Sequence, residues 1–418
     1  MLFLCFFICI FEVKLYIIPM PYGSIVLFPI LIIYLFKNEE SLKLYINILK
    51  SDYHISICLS FLTYLIFVLL NSIRCGDFVY FKTVLHQMIS NEIMFALYTC
   101  FIVRGKRNKI FEYLIGAYVI MSIIQFFGFV SPTFRSATDI FRSKTVQMTR
   151  LSYDNFRGMG IASSGFFGLG VGYALILMLI FFEWYNWKIK NIFIRLFLLI
   201  ILLFGAFTSA RSAIFGAIIG ALLFYVINYK YYTLCKNPLL LVRKQTFNIF
   251  ILLISSILLI VLLYFITINS KNVALRGLNY YLFSFLFGFF NSEGMRSSTS
   301  GQALLDSMNV SLDLKQILIG DGRYTGINGI GNYMTQDCGY LRNIFFSGIL
   351  SILLLCICQY FILRPMFKNK NRELILLGTG IFLLTAFLHI KGEVLGVCIL
   401  YQNIVILYVL YKSYFFIN

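Results

Sequence analysis

The 418 residues are 60% apolar and only 12% charged, with a mean hydropathy of +0.86. That is more apolar than a soluble core of this length requires, and it leaves a polytopic membrane protein as the class. Lysine and arginine number 35 against 17 acidic residues, a net charge of +18. In a many-helix membrane protein the positive-inside rule accounts for such an excess first, so nucleic acid is not expected as a partner.

A spanning helix needs about 20 mainly apolar residues. In chain order the segments that qualify are 1–18, 20–36, 55–73, 84–103, 110–130, 161–182, 192–208, 213–227, 248–268, 344–363, 374–390 and 394–411, which predicts twelve helices in one integral membrane domain, residues 1–418. Glu12, Lys14, Pro19 and Pro21 blur the boundary between the first two. The first segment has no basic start and no small-residue cleavage site and reads as an uncleaved anchor. Of the ten cysteines, seven lie in apolar runs as packing residues. Cys75 and Cys338 fall in outer segments, where two unlinked thiols are preferred over a disulfide.

Counting basic residues loop by loop sets the orientation. With the N-terminus inside, the cytoplasmic loops hold 19 of the 35 and the short outer connections hold 5, so both termini are expected in the cytoplasm. The remaining 11 sit in two long outer loops, residues 131–160 and 269–343. The first carries Arg135, Arg142, Lys144, Arg150 and Arg157 against Asp139 and Asp154. Guanidinium matches phosphate well, since its fixed fork bonds two oxygens and stays charged. Such a loop suits either a phosphate-bearing ligand or plain solvation near the headgroups.

Next, GMGIASSGFFGLGVGYALILMLIFF crowds glycines at the start of the sixth segment. Gly168 and Gly172, four apart, suit close helix packing. The earlier glycines fit either packing or an irregular entry to the helix, which at membrane depth must line a cavity. In FTSARSAIFGAIIGALLFYVI, residues 207–227, Arg211 stands between two apolar segments with almost no loop around it. A charge held there costs at least ~2.5 kcal/mol on insertion scales and is a functional candidate, with snorkelling as the alternative. In the long loop, residues 278–290 form an aromatic run too short to span, as expected of an interfacial helix, with Arg276 before it and Glu293 and Arg296 beyond. The glycine-rich ILIGDGRYTGINGIGN has no P-loop or dinucleotide fingerprint and reads as turns. The loop closes on QDCGYLRNIFFSGILSILLL.

An apolar helix, the turn Thr208-Ser209-Ala210-Arg211-Ser212 and a small-residue helix together resemble the core of the O-antigen polymerase and ligase superfamily of bacterial inner-membrane proteins. The loop end is similar too. Polymerases of that superfamily commonly close their large periplasmic loop on an Asp-x-Gly-Tyr-x-Arg segment leading to a Gly-Ile pair, matched here by Asp337, Gly339, Tyr340, Arg342, Gly348 and Ile349. Ligases typically carry a His-Asn pair there, and none of the three histidines lies in this loop. The two motifs and the layout cover about a quarter of the chain.

The resemblance implies an architecture like that of the GT-C glycosyltransferases. It also implies transfer of a glycan from undecaprenyl diphosphate to a second lipid-linked repeat unit, outside the membrane and without a cofactor. Cations would stabilise the departing diphosphate and a carboxylate would serve as base. The expected roles are Asp337 as base or orienting group, Arg211 and Arg342 in catalysis, and Arg157, Arg276, Arg296 and Tyr340 in substrate binding. Glu92 (with His86), Glu293 and His389, which sits beside Lys391 and Glu393, are further candidates, because ionisable groups in spanning helices usually face an interior. Asp306, Asp313, Asp321 and Asp337 lack a metal-binding pattern, so no metal is expected. Expected partners are the lipid-linked oligosaccharide, membrane lipid and a polysaccharide chain-length regulator. The rival readings are a ligase joining polymer to lipid A core, and a flippase. Against the flippase stand the lack of an internal repeat and a long outer loop that carries the polar motifs.

Overall fold

A computed structural model describes residues 2–14, 26–151, 153, 155–184, 186–234, scattered positions between 264 and 305, 310–326 and 331–412. Among the described residues the secondary structure is helical, with one isolated bridge between Thr325 and Asn332. In chain order the helices are α1 (Leu2–Phe11), α2 (Phe28–Phe36), α3 (Glu39–Leu49), α4 (Asp52–Cys75), α5 (Val79–Val103), α6 (Ile110–Val130), α7 (Pro132–Thr138), α8 (Lys144–Leu151), α9 (Phe167–Phe182), α10 (Ile192–Ser209), α11 (Ile214–Leu234), α12 (Leu314–Leu318), α13 (Gly339–Ser347), α14 (Ile349–Phe367), α15 (Arg372–His389) and α16 (Ile399–Lys412).

Five of these stretches, Asp52–Cys75, Arg107–Val130, Ile192–Ser209, Ile349–Phe367 and Arg372–His389, are long and apolar enough to cross a bilayer. In α4 the residues Leu59, Leu62, Ile66, Leu70 and Ile73 are exposed, and in α10 Phe193, Phe197 and Ile200 are exposed. Apolar surface on that scale is unfavourable in water and natural against lipid, so the chain is a helical membrane protein. The helices apolar on every side are the inner ones. Nearly all of α9 is buried, and so is the body of α16. Around them α11 packs on α9 and α15, α10 on α6 and α9, α14 on α4 and α15, and α16 on α5 and α9.

Local chemistry sets the helix ends. Ser51, Ser131, Asn191 and Asn371 cap α4, α7, α10 and α15 through their side-chain oxygens. Gly76, at φ 72°, closes α4 in the left-handed conformation. Helices α9 and α11 approach closely: a Cβ on Gly216 would come 1.8 Å from the Ala174 carbonyl oxygen.

Three expectations need correction. Residues 37–54, read as a cytoplasmic loop, contain the amphipathic α3, started by an Asn38 cap and supported by a Glu39–Lys43 pair at 2.6 Å. The segment expected as one helix over 344–363 is broken at Gly348 (φ 74°) into α13 and α14. The first long loop contains α7 and α8. The predicted span 248–268 and the aromatic run 278–290 lie almost wholly outside the described residues.

Candidate functional site

The first basic loop explains most of its own arginines. Arg142 is buried and donates to the carbonyl oxygens of Gly160 at 3.1 Å and of Met159, to Thr138 Oγ1 at 2.9 Å and to Asp139 Oδ1 at 2.7 Å. Arg150 holds both Asp139 oxygens, at 2.5 and 3.1 Å. Burial raises the Asp139 carboxyl, but the two guanidiniums outweigh it and hold it below its ordinary value. Arg135 caps the carbonyl end of α6 through Gly128 and Phe129. These three arginines fold the loop and do not wait for a phosphate.

Arg157 is the member of this loop that reaches a cavity. It is buried, donates through Nη2 to the Ser209 carbonyl oxygen at 2.7 Å, and stacks on Tyr153 with its Cζ 4.5 Å from the ring centre. The chain around it, residues 157–166, is irregular and enters α9 at Phe167. Gly170 then brings α9 against Ala210, where a Cβ would lie 2.4 Å from the Ala210 methyl. The 3₁₀ turn Arg211–Ala213 follows directly, so Arg211 is held half-buried between α10 and α11.

Arg157, Asp337, Arg342, Lys391 and Glu393 line one cavity of about 600 Å³, with Ser163, Ser164 and Thr149 among the neutral lining groups. Burial, reinforced by the Arg211 and Arg157 guanidiniums and only partly offset by Asp337, pulls the Lys391 ammonium down to about 8. Arg342 lies 4.0 Å from a Glu393 carboxylate oxygen, with its Cζ 4.1 Å from the centre of the Tyr324 ring. Burial opposes its charge, yet Glu393 and Tyr324 more than compensate and raise its pKa. Glu393 accepts from the Tyr324 hydroxyl and from Asn343 Nδ2 at 3.1 Å. Burial still leaves its carboxyl above the ordinary range. Asp337 is exposed and accepts from Asn332 Nδ2 at 2.9 Å; it neither caps α13, whose N-cap is Cys338, nor makes an ion pair among the described residues.

Asp77, in the α4–α5 turn, anchors the wall next to Glu393. It accepts from the amides of Tyr324 at 2.9 Å and Thr325 at 2.8 Å and from the Thr325 hydroxyl at 2.8 Å. Burial raises its pKa, but these donors outweigh burial and lower it. Cys75 donates to the Asp321 carbonyl at 3.0 Å, and both it and Cys338 are free thiols.

Of the residues expected at a site, Arg157, Arg342 and Asp337 line this cavity and Arg211 lies within its electrostatic reach. The others do not. Tyr340 is absent from the lining: its hydroxyl donates to the Ala386 carbonyl at 2.9 Å and its ring meets His389 edge to face at 4.6 Å. His389 is fully buried, and its Nδ1 accepts from the amides of Val394 and Leu395 at 3.0 and 3.1 Å, which shapes the 390–398 connection. Glu92 lies away from the cavity, 2.8 Å from His54 Nε2. His86 is 3.5 Å from Glu12. Arg276 is exposed and absent from the lining. Arg296 and Glu293 lie outside the described residues.

Lys391 and Glu393, noted in the sequence only as neighbours of His389, line the cavity where His389 itself does not. The signal was present, since a charged Lys-Gly-Glu between two apolar segments meets the same criterion that singled out Arg211. No protein-family model, curated protein or solved structure matches the chain.

Proposed function

We propose that the chain is a glycosyltransferase of the O-antigen polymerase type, working on the outer face of a bacterial cytoplasmic membrane. It would span that membrane twelve times in a GT-C-like arrangement with both termini in the cytoplasm. The observation that carries this reading is the cavity in which Arg157, Arg342 and Lys391, with Arg211 beside them, surround one exposed carboxylate, Asp337. Four cations against Asp337 and an already paired Glu393 make it a site for a polyanion, and a lipid diphosphate supplies one at membrane depth.

In this reaction an acceptor hydroxyl oxygen bonds to the anomeric carbon of the donor glycan while the bond from that carbon to the diphosphate oxygen breaks. Undecaprenyl diphosphate leaves with its extra negative charge held by Arg157, Arg211 and Lys391. Asp337 takes the hydroxyl proton. The donor and acceptor are both lipid-linked oligosaccharides, and a chain-length regulator would act from outside this cavity.

The test is the lipopolysaccharide ladder after deletion of the gene, with wild-type and Asp337→Asn complementation. Loss of the ladder with one repeat unit still capped on lipid A core supports the reading. Asp337→Asn should slow extension by about 100-fold or more, the span a general base supplies. Full-length polymer with Asp337→Asn removes Asp337 from the mechanism. Polymer accumulating uncapped on the carrier lipid would make the chain a ligase, a reading to which the buried, doubly engaged His389 lends no support.

A further inference from the structure

We propose that His54, Cys58 and Glu92 form a binding site for one transition-metal cation of the zinc class, separate from the cation-lined cavity. His54 is the third residue of α4 and Cys58 lies one turn on, so both side chains share a face. Glu92 meets them from the middle of α5. His54 Nε2 is 2.8 and 3.0 Å from the two Glu92 oxygens, and Cys58 Sγ is 3.3 Å from that nitrogen and 3.2 Å from Glu92 Oε1. The three ligand atoms all lie within 4.8 Å of one another.

The second ring nitrogen decides what this convergence means. His54 Nδ1 is 2.9 Å from the Leu49 carbonyl oxygen. A carbonyl only accepts, so Nδ1 carries a hydrogen, and Nε2 is the ring atom that faces the Glu92 carboxylate. Two acceptors at that distance need a positive charge between them, either a proton, which makes a His54–Glu92 ion pair, or a metal cation in its place. A backbone carbonyl on the far nitrogen is the support a metal-bound histidine normally has. Phe95 meets the ring edge to face at 4.8 Å and holds its plane.

A tetrahedral zinc site, with bonds of about 2.0 to 2.3 Å, separates its ligand atoms by roughly 3.3 to 3.8 Å, so the three groups need to open by only a few tenths of an ångström to about half an ångström. Thiolate, imidazole and carboxylate together suit zinc and its neighbours better than magnesium or calcium. Thiolate and carboxylate also balance the dication's charge. Binding displaces the proton between His54 and Glu92 and the Cys58 thiol proton, both passing to solvent, and leaves a fourth position for water. Such an ion would clamp α4 to α5 and, through Leu49, to the end of α3. The absence of a metal pattern among the outer-loop aspartates does not bear on this site, because its ligands come from α4 and α5.

The experiment is titration of the purified, chelator-stripped full chain in detergent with Co²⁺ as a spectroscopic probe, followed by displacement with Zn²⁺. The expected result is one equivalent of Co²⁺ with ligand-field bands of tetrahedral geometry and a thiolate-to-cobalt charge-transfer band. Cys58→Ser should abolish the charge-transfer band, and His54→Ala should weaken affinity by more than the 10- to 100-fold that loss of an outer partner costs. The isosteric Glu92→Gln, read with its unfolding midpoint, should keep the fold and lose affinity at least about tenfold. Absence of stoichiometric uptake by the wild-type chain overturns the proposal. So does a charge-transfer band that survives Cys58→Ser.

Discussion

Lys391 shares a confined space with the Arg157 and Arg211 guanidiniums, and its proton is therefore held less tightly in the folded chain than in the unfolded one. Below about 8 the folded chain carries this cost in full; between about 8 and the ordinary value of 10.5 the unfolded chain binds more protons, so this group makes stability rise with pH across that window. A bound anion reverses the preference and keeps the ammonium charged. Pyrophosphate affinity measured by calorimetry should fall as pH rises through about 8, and Lys391→Met should flatten that dependence. At Arg142 the expected loss is of fold, not of binding. Arg142→Met strips the donor from the Met159 and Gly160 carbonyls, at about 1–3 kcal/mol per buried group left unsatisfied, while the exposed Lys144→Met should stay within about 0.5 kcal/mol. Denaturation midpoints of the two variants compare these directly. Counting charge in the sequence treated both residues alike. The carbonyls that claim Arg142 stand 17 and 18 residues away, beyond what local spacing reveals.

Helix junctions are where the fold departs most from hydropathy. Residues 344–363 read as one apolar run, yet Gly348 takes φ 74°, and a Cβ there would lie 2.4 Å from the Leu318 carbonyl oxygen. No average over side-chain character reports a backbone reversal, so the break between α13 and α14 was invisible, although the Gly348-Ile349 pair itself had drawn notice. Gly348→Ala should lower the unfolding midpoint by the equivalent of about 1–3 kcal/mol, through both the left-handed backbone and the close contact. Gly216→Ala tests the α9–α11 contact in the same way and should cost about 1–3 kcal/mol through overpacking. By contrast, the irregular entry to α9 was one of two readings open for the glycines before Phe167, because such backbone is tolerated at membrane depth only beside a cavity. The amphipathic α3 was missed because Lys43, with Lys37 and Lys50 flanking the helix, counts as loop charge when its spacing from Glu39 is ignored.

At the scale of the molecule, the membrane class was legible from composition, and the apolar segments of α4 and α10 and the charged connections from the order of residues along the chain. Orientation follows from the same charges and has a direct measurement. Reporter fusions at Lys106 should signal the cytoplasm and those at Asp77 the opposite side, and the reverse pattern would turn the proposed site inward. Arg211, Arg157, Arg342 and Asp337 follow from three simple criteria: an isolated charge in apolar sequence, a basic outer loop and a motif at a loop end. Their convergence with Lys391 needed the third dimension, since the residues span 235 positions from Arg157 to Lys391. That convergence also makes the empty-handed protein a compromised one. Like charges crowded into a low-dielectric recess oppose one another until an anion arrives, so selection for ligand capture works here against selection for durability. Lys391→Met should therefore yield a chain that survives heating and detergent better than the wild type and captures its ligand less tightly, an inverse relation between durability and capture.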